Sequence, residues 1–293
     1  SLQDISEDNR GNLWLSGWGT GLIRYIPDSG ETTVLPMPDN RIYVIDASSP
    51  GFVRVGTWGG GFHILDTARG TIESYRSSKA IGVLPNDVIY AIFEDASGEL
   101  WIGTNGGGVA RMDRTRNSYS AFVADVNNPD ALPNGKVIAT TIDSRGTLWT
   151  SIYSNGIHRY DPERQSWKHY FHSKDDPSSL GDNTCNSFYE DSKGRFWICT
   201  NSGLSLYDRD KDAFTTIRSA KDQPGGFSDS IIYSMLEDDK GNFWVGTYTA
   251  GLDYWDTATG AITNHAFNPS DYRSISDNLI NDLEFDQDRK SVV

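Results

Sequence analysis

The residue types that catalyse reactions are present, but they do not stand at catalytic spacings. The five histidines are His63, His158, His169, His172 and His265. None belongs to a His-Glu-x-x-His pattern, which would place two zinc ligands on one helix face. His169 and His172, close to the end of a predicted strand, are interpreted as surface residues. The glycine runs at 59–61 and 106–108 lack the Lys-Ser/Thr of a phosphate-binding loop and predict tight connections between strands.

Adjacent acidic residues recur as Glu94-Asp95, Glu190-Asp191 and Glu237-Asp238. Two carboxylates with separated pKa values could share acid–base catalysis. Each pair, however, opens the same Asp-x-x-Gly turn, where an Asp side chain caps the backbone. These turns are also too short for the alternating oxygen ligands of a calcium loop. We therefore interpret the pairs as turn caps, and the sequence predicts no catalytic residue, no metal site and no cofactor.

The side chains best suited to ligand recognition follow the second strand of each predicted repeat, two residues after its Gly position. They are Trp18, Trp58, Asn105, Tyr153, Asn201 and Tyr248. Aromatic faces stack on the C–H faces of sugar rings, and amides pair with hydroxyl groups. Two interpretations stay open: these side chains bind a ligand, or they cover neighbouring loops.

A second set comes from the start of the first strand of each repeat. Its members are Gln3, Tyr43, Tyr90, Ile138, Asn186, Tyr233 and Asn281. We include Tyr43, Tyr90 and Tyr233 among the candidate ligand-binding residues, because their side chains would line the mouth of a central channel. The alternative is that they pack between neighbouring repeats.

A repeat must position all these side chains. Its core, Asp-x-x-Gly-x-Leu-Trp, recurs in most copies, and the turn glycines are 40 to 48 residues apart. These glycines are Gly11, Gly51, Gly98, Gly146, Gly194 and Gly241. The most divergent copy, around Gly51, has Arg54 at the Trp position. The repeated Trp is predicted to pack between neighbouring units.

Each repeat contains four short segments of strand-forming residues, separated by Gly, Pro, Asn or Asp, and none shows a helical period. Four strands per unit predict an all-β propeller of antiparallel blades. Six complete units are expected, at 1–40, 41–87, 88–135, 136–183, 184–230 and 231–278. Residues 279–293 are expected to begin a seventh blade, with 279–286 as its first strand. The prediction is one seven-bladed domain spanning 1–293, with its last blade incomplete.

Charge narrows the range of partners. The chain has 293 residues and a formal net charge of −14. Such a surface repels nucleic acid and anionic membranes, and it favours a neutral or weakly charged glycan over a polyanion. No apolar run approaches the ~18–20 residues of a membrane span. The chain starts at Ser1 and ends inside a predicted strand, so we expect a fragment whose flanking segments supply any membrane anchor.

The two cysteines, Cys185 and Cys199, are too few for a disulfide scaffold or a zinc site. They flank a predicted hairpin. They are either two small buried residues or a cross-strand disulfide.

The unit Asp-x-x-Gly-x-Leu-Trp-Ile-Gly-Thr, as at 95–104, resembles the two-component regulator propeller repeat. The resemblance extends over essentially the whole chain. It implies the periplasmic sensor region of a hybrid histidine kinase of the kind common in Bacteroidetes, with the kinase outside this sequence. It also implies an oligosaccharide signal and a homodimeric parent protein.

Two other function classes remain open. The chain could be a protein-interaction or dimerisation scaffold that binds no small ligand. Less favoured is a propeller lyase or glycan hydrolase, which would need clustered acid and base residues.

Overall fold

The computed structural model describes residues 2–78, 84–113, 118–222 and 224–285. Within these residues the regular secondary structure consists of 24 β-strands. They form six four-stranded sheets, each made of four consecutive strands in chain order. The sheets are the blades expected from the repeat, and the all-β propeller prediction is confirmed in this respect.

The strands of the first three blades are β1 (Leu2–Glu7), β2 (Leu13–Gly17), β3 (Gly21–Ile26), β4 (Glu31–Leu35), β5 (Ile42–Asp46), β6 (Phe52–Thr57), β7 (Phe62–Asp66), β8 (Thr71–Tyr75), β9 (Ile89–Glu94), β10 (Leu100–Thr104), β11 (Val109–Asp113) and β12 (Ser118–Phe122). Those of the last three are β13 (Val137–Ile142), β14 (Leu148–Ile152), β15 (Ile157–Asp161), β16 (Ser166–Tyr170), β17 (Cys185–Glu190), β18 (Phe196–Thr200), β19 (Gly203–Asp208), β20 (Ala213–Ile217), β21 (Ile232–Glu237), β22 (Phe243–Thr247), β23 (Leu252–Trp255) and β24 (Ile262–His265).

The predicted seven-bladed ring with a partial seventh blade is wrong, because the described residues form six blades. Residues 279–284 form no strand, and Phe285 makes only a single bridge. The first strand of a blade is held by the second strand of the same blade, and no such partner is present among the described residues. Residues 286–293, where the turn and second strand were expected, lie outside the described part of the chain.

The chain divides into two compact units. The first comprises residues 1–141, 161–167 and 284–292, and the second comprises 142–160, 168–283 and 293. Each unit has its own apolar cores. In the first, Trp14, Ile42 and Leu65 belong to one cluster, and Phe62 and Met112 belong to another. The cores of the second are built around Trp149 with Phe196 and around Trp197 with Phe243.

The repeated Trp has a polar partner as well as an apolar one. In four blades its indole Nε1 donates to an Asp six residues earlier, at 2.8–3.0 Å. The pairs are Trp14–Asp8, Trp101–Asp95, Trp149–Asp143 and Trp197–Asp191. The other oxygen of each Asp accepts backbone N–H groups of the turn, which confirms that these Asp residues are turn caps. Burial opposes ionisation of Asp191, but hydrogen bonds from Trp197 and Arg195 outweigh it and lower the pKa of this carboxyl.

Two blades depart from the Trp–Asp pattern. In the second blade, Arg54 replaces Trp, and its guanidinium Nη1 bonds Asp46 at 2.7 Å. In the sixth, Tyr254 donates to Asp238 at 2.9 Å, and Trp244 packs on Tyr254 with ring centroids 4.7 Å apart. Packing between blades is confirmed for Trp14, Trp149 and Trp197. For Trp244 it stays a prediction, because the ring contacts found among the described residues, to Tyr254 and His265, lie within its own sheet.

The Glu of each Glu-Asp pair links neighbouring blades instead of capping its own turn. Glu237 accepts from the N–H and the hydroxyl of Ser192 in the preceding blade, at 2.7 and 2.8 Å. Glu190 does the same for Ser144, at 2.6 and 2.7 Å. The interpretation of these glutamates as turn caps is therefore wrong. The two oxygens of each carboxylate accept from the N–H and the hydroxyl of the serine in the preceding blade.

Both cysteines are free and buried. In the β17–β18 ladder Cys185 faces Thr200, and Ser187 faces Cys199, so the cysteines are not cross-strand partners. Burial raises the pKa of the Cys199 thiol to about 12. Of the two alternatives, the small buried residue is confirmed. Across the described residues there is no helix with the length and apolarity needed to traverse a bilayer.

Candidate ligand-binding surface

The candidate residues of the first set lie directly after the second strand of each blade. Backbone hydrogen bonds fix these positions. The N–H of Trp58 donates to the Arg41 carbonyl at 2.9 Å, and that of Asn105 donates to the Val88 carbonyl at 3.0 Å. In the second unit the corresponding bonds of Asn201 and Tyr248 are both 3.1 Å long. The backbone therefore holds these four loops in place, and the side chain can vary without loss of that support.

Glycine is required where the same loop turns back. Gly61 has φ +88° and a Cβ there would lie 2.2 Å from the carbonyl oxygen of Tyr75. A side chain at this point would push the loop away from the outer strand. This close approach confirms that the glycine run at 59–61 makes a tight connection between strands.

Four predicted side chains of the first unit meet in what we call the aromatic cluster: Trp18, Tyr43, Trp58 and Tyr90. The Trp18 and Trp58 ring centroids are 5.6 Å apart, and those of Trp58 and Tyr90 are 5.5 Å apart. Tyr43 meets Tyr90 edge to face at 4.7 Å. The tyrosines form the buried side, whereas Trp18 and Trp58 are 49% and 37% exposed. Edge-to-face packing of this kind stabilises a fixed arrangement of the rings.

A lysine lies beside the aromatic cluster. The Lys136 Nζ atom is 3.9 Å from the Tyr90 ring centroid and 5.5 Å from that of Tyr43. Partial burial lowers the pKa of Lys136. Burial also raises the pKa of Tyr90 to about 12. The surface thus combines two exposed indoles with neutral phenols and an ammonium group.

The remaining predicted residues of the second unit form separate small contacts. Tyr233 and Tyr248 meet edge to face at 5.7 Å. Asn186 donates to Asn201 at 3.0 Å and to the Ile232 carbonyl at 2.8 Å. Tyr153 is exposed, and in the first unit Asn105 is exposed too. Among the described contacts these residues do not join a cluster of four rings like that of the first unit.

Lys136 is the residue that sequence reasoning missed. It lies two residues before Ile138, a member of the second candidate set, and just before β13. The corresponding residues of the second and third blades are Arg41 and Val88. This position has no shared residue type, so a search for repeated motifs passes over it. Aligning the repeats and looking for charge near the aromatic positions would have found it.

Two histidines have more specific surroundings than a surface role implies. The Nδ1 atoms of His158 and His169 are 2.8 Å apart. Burial, with a smaller contribution from His169, lowers the pKa of His158 to about 3. His172 donates from Nδ1 to the Leu180 carbonyl at 2.8 Å. His169 and His172 are partly exposed, as the surface interpretation expects, and each ring is also hydrogen-bonded. Among the described residues no group of three or more His, Cys, Asp or Glu side chains could hold a metal ion.

A comparison with known protein families supports the identification of the repeat. The family described as "Two component regulator propeller" matches residues 83–106, 179–202 and 226–249. No match was found among curated proteins.

Three solved structures illustrate the likeness in fold. The extracellular domain of a protein described as a hybrid two component system from B. thetaiotaomicron has a TM-score of 0.79 and 17% identity, covering 98% of this chain and 38% of that one. The extracellular domain of a B. thetaiotaomicron protein described as a one component system has a TM-score of 0.55 and 17% identity, covering 97% and 43%. Virginiamycin B lyase from Staphylococcus aureus has a TM-score of 0.72 and 16% identity, covering 97% and 88%.

The chain therefore spans less than half the length of the two B. thetaiotaomicron proteins. At these identities the structural likeness establishes the fold alone. The repeat identity comes from the matched segments, whose Asp-x-x-Gly turns and second strands are those described above. The chain carries repeats of the two-component regulator propeller family.

Proposed function

We propose that this chain is the ligand-sensing propeller of a two-component regulator, located outside the cytoplasm, and that it recognises an oligosaccharide at the aromatic cluster. The observation that carries the proposal is the exposed pair of indoles, Trp18 and Trp58, supported from below by Tyr43 and Tyr90. The matched repeat family and the extracellular domains of similar fold support the sensor role and the location.

The chemistry of the aromatic cluster suits a sugar. Indole faces contact the C–H faces of a pyranose ring, and they lose little conformational freedom on binding because neighbouring rings already hold them. The Lys136 ammonium and the tyrosine hydroxyls supply hydrogen-bond donors at the same surface. The overall charge of −14 favours a ligand without many negative charges.

The proposal concerns binding and assigns no catalysis to this chain. Fold likeness to a lyase adds no reaction, because a fold does not determine a function. In the whole protein, a kinase, a membrane anchor and dimerisation would reside in other segments. A scaffold role without a small ligand is the outcome to expect if the aromatic cluster binds no sugar.

The test is a thermal-shift screen of the chain against plant, host and microbial oligosaccharides. A ligand at 100 times its Kd stabilises the native state by about 2.7 kcal/mol, which corresponds to roughly 2–4 °C in Tm. We expect a hit that disappears in Trp18→Ala and Trp58→Ala. It should persist in Tyr272→Ala, which removes an aromatic ring that is 96% exposed elsewhere. The absence of a Tm shift with every oligosaccharide, or an equal loss of the shift in the Tyr272 variant, would contradict the proposal.

A further inference from the structure

Two loops of the second unit share one backbone design. The loop after β16 is closed by the His172 N–H, which donates to the Asn183 side chain at 2.7 Å. The loop after β24 is closed in the same way, by Phe267 and Asn278 at 2.7 Å. A serine hydroxyl inside each loop accepts from the next N–H, at 2.9 Å in both cases.

The shared design shows which residues the loop needs. Asp176 accepts the N–H of Ser178 at 2.9 Å, and Asp271 accepts the N–H of Arg273 at 3.0 Å. The Asp is therefore part of the loop framework. The other residues that line the loop are not fixed by these bonds.

The residues that differ change the charge of the loop after β16. It carries His172 and Lys174, where the loop after β24 carries Phe267 and Pro269. The equivalent positions after β12, 48 residues before His172 and Lys174, are Ala124 and Val126. Because apolar residues occupy these positions in the loops after β12 and β24, folding of a loop of this type does not require the basic side chains.

A third basic residue comes from the neighbouring blade. Arg218 directly follows β20, whereas Phe171 directly follows the corresponding strand β16. The loop is anchored to β20 by the Phe214 N–H, which donates to the Ser178 carbonyl at 2.8 Å. This anchoring brings Arg218 to the same side as Lys174.

Between the loop and β20 lies an open cavity of about 300 Å³. Its lining includes His172, Lys174, Asp176, Leu180, Thr216 and Arg218. The Nδ1 atom of His172 donates to the Leu180 carbonyl. This hydrogen bond orients the ring and leaves Nε2 as the nitrogen that can hydrogen-bond a ligand. The Asp176 carboxylate is held by Ser178, whose hydroxyl donates at 2.6 Å.

We propose that this cavity binds a small organic acid of monosaccharide size, whose carboxylate pairs with Arg218 and Lys174 while its hydroxyls meet His172 and Thr216. A guanidinium presents a planar pair of donors that matches a carboxylate, and the lysine adds a second positive charge. The volume lies at the lower end of the range for small-molecule sites. The proposed site is separate from the aromatic cluster and does not depend on the function proposed there.

The experiment is a calorimetric titration of the chain with D-glucuronate, with D-glucose as the uncharged control and sodium sulfate as the inorganic one. We expect saturable glucuronate binding at low ionic strength that weakens at least tenfold in Arg218→Gln and in Lys174→Gln. Arg273→Gln removes a basic residue from the equivalent loop after β24, and it should change the affinity less than twofold. Trp18→Ala should leave glucuronate binding intact.

Three results of the ligand titrations would overturn the proposal. They are the absence of saturable glucuronate binding at millimolar concentrations, equal binding of glucose, and binding of sulfate but not glucuronate. Loss of binding in Trp18→Ala would also contradict it, because it would move the acid to the aromatic cluster. Circular dichroism and melting of each variant keep a folding defect apart from a loss of affinity.

Discussion

At the residue directly after the second strand of a blade, the first unit presents two indoles and an amide, whereas the second presents two phenols and an amide. In the first unit, Trp18 and Trp58 join Tyr43 and Tyr90 in one continuous cluster. In the second, Tyr248 meets only one neighbouring ring among the described contacts, that of Tyr233. Equivalent backbone hydrogen bonds hold two of these loops in each unit, at Trp58 and Asn105 in the first and at Asn201 and Tyr248 in the second.

The difference shows how a repeat separates structure from recognition. The turn Asp, the second-strand Trp and the loop carbonyls maintain the blade, and these elements recur. The side chain directly after the second strand is not needed to hold the blade together. One unit can therefore present an aromatic surface there and the other a more polar one. The charged residues follow the same rule, since the basic cavity beside β20 is built on a loop whose framework occurs elsewhere with apolar residues.

The second blade departs from the repeated framework, and this departure predicts the largest effect. Arg54 stands where the other blades have Trp, and it is fully buried between Asp46 and Glu94, at 2.7 and 2.5 Å. Arg54→Ala would leave two carboxylates without their cation, and we expect a loss of about 3–5 kcal/mol in the free energy of unfolding. Urea denaturation measures it.

Arg69→Ala is the matched control, because that arginine is 80% exposed in its surface ion pair. Its effect should stay within about 0.5 kcal/mol. A loss below about 1 kcal/mol in Arg54→Ala would show that the ion pair does not replace the Trp of the other blades.

The link between blades made by Glu237 and Ser192 should contribute less to the free energy of unfolding than Arg54 does. Glu237→Ala removes the acceptor of the Ser192 N–H and hydroxyl, and we expect a loss of about 1–3 kcal/mol because both hydrogen bonds between the blades are lost. The same denaturation assay measures it, with Glu163→Ala in an exposed turn as the control. Equal stability of the two variants would mean that the link contributes nothing.

The smallest effect is pH-dependent and involves the turn between the third and fourth strands, which differs between blades. Gly30, Gly70 and Gly260 have positive φ at this turn, whereas the fifth blade has Asp212 there, at φ +53°. Burial opposes ionisation of Asp212, but hydrogen bonds from Lys168, Tyr170 and Tyr207 lower its pKa to about 2. The ionised carboxylate is thus favoured in the folded state relative to the unfolded value of 3.8.

Because the folded pKa is lowered, this stabilisation is present above pH 4 and is lost as the pH falls towards 2. Asp212→Asn should therefore lower stability by on the order of 1 kcal/mol at pH 7. The gap between variant and wild type should shrink from pH 4 to pH 2. Denaturation curves at pH 7, 4 and 3 provide the measurement, with Asp28→Asn as an exposed control. A gap that grows on acidification would contradict the assignment.

The repeat made much of the fold predictable. A turn Asp and a second-strand Trp at fixed separation specify the same local structure wherever they occur, so β2, β10, β14 and β18 fall where the motif places them. The number of blades was not predictable in this way. A first-strand pattern at 279–286 shows that a strand could form, but a strand persists only if a second strand pairs with it.

The candidate site was predictable in part. The alternation of aromatic and amide residues at one repeat position pointed to Trp18 and Trp58, and the structure places them together. Lys136 and Arg218 were not found, because each is a single residue at a position where the repeats share no residue type. Lys136 and Arg218 become candidates only because of the residues that the fold places beside them, and a single sequence does not show those neighbours.

The most direct test of the account compares the two units within one molecule. The strongest oligosaccharide from the thermal-shift panel is titrated calorimetrically into the wild type, Trp58→Ala and Tyr248→Ala. The account predicts that Trp58→Ala weakens binding by about 30-fold or more, as for an aromatic anchor, and that Tyr248→Ala stays within about threefold of the wild type. An equal loss in both variants, or a loss in Tyr248→Ala alone, would contradict the assignment of recognition to the aromatic cluster.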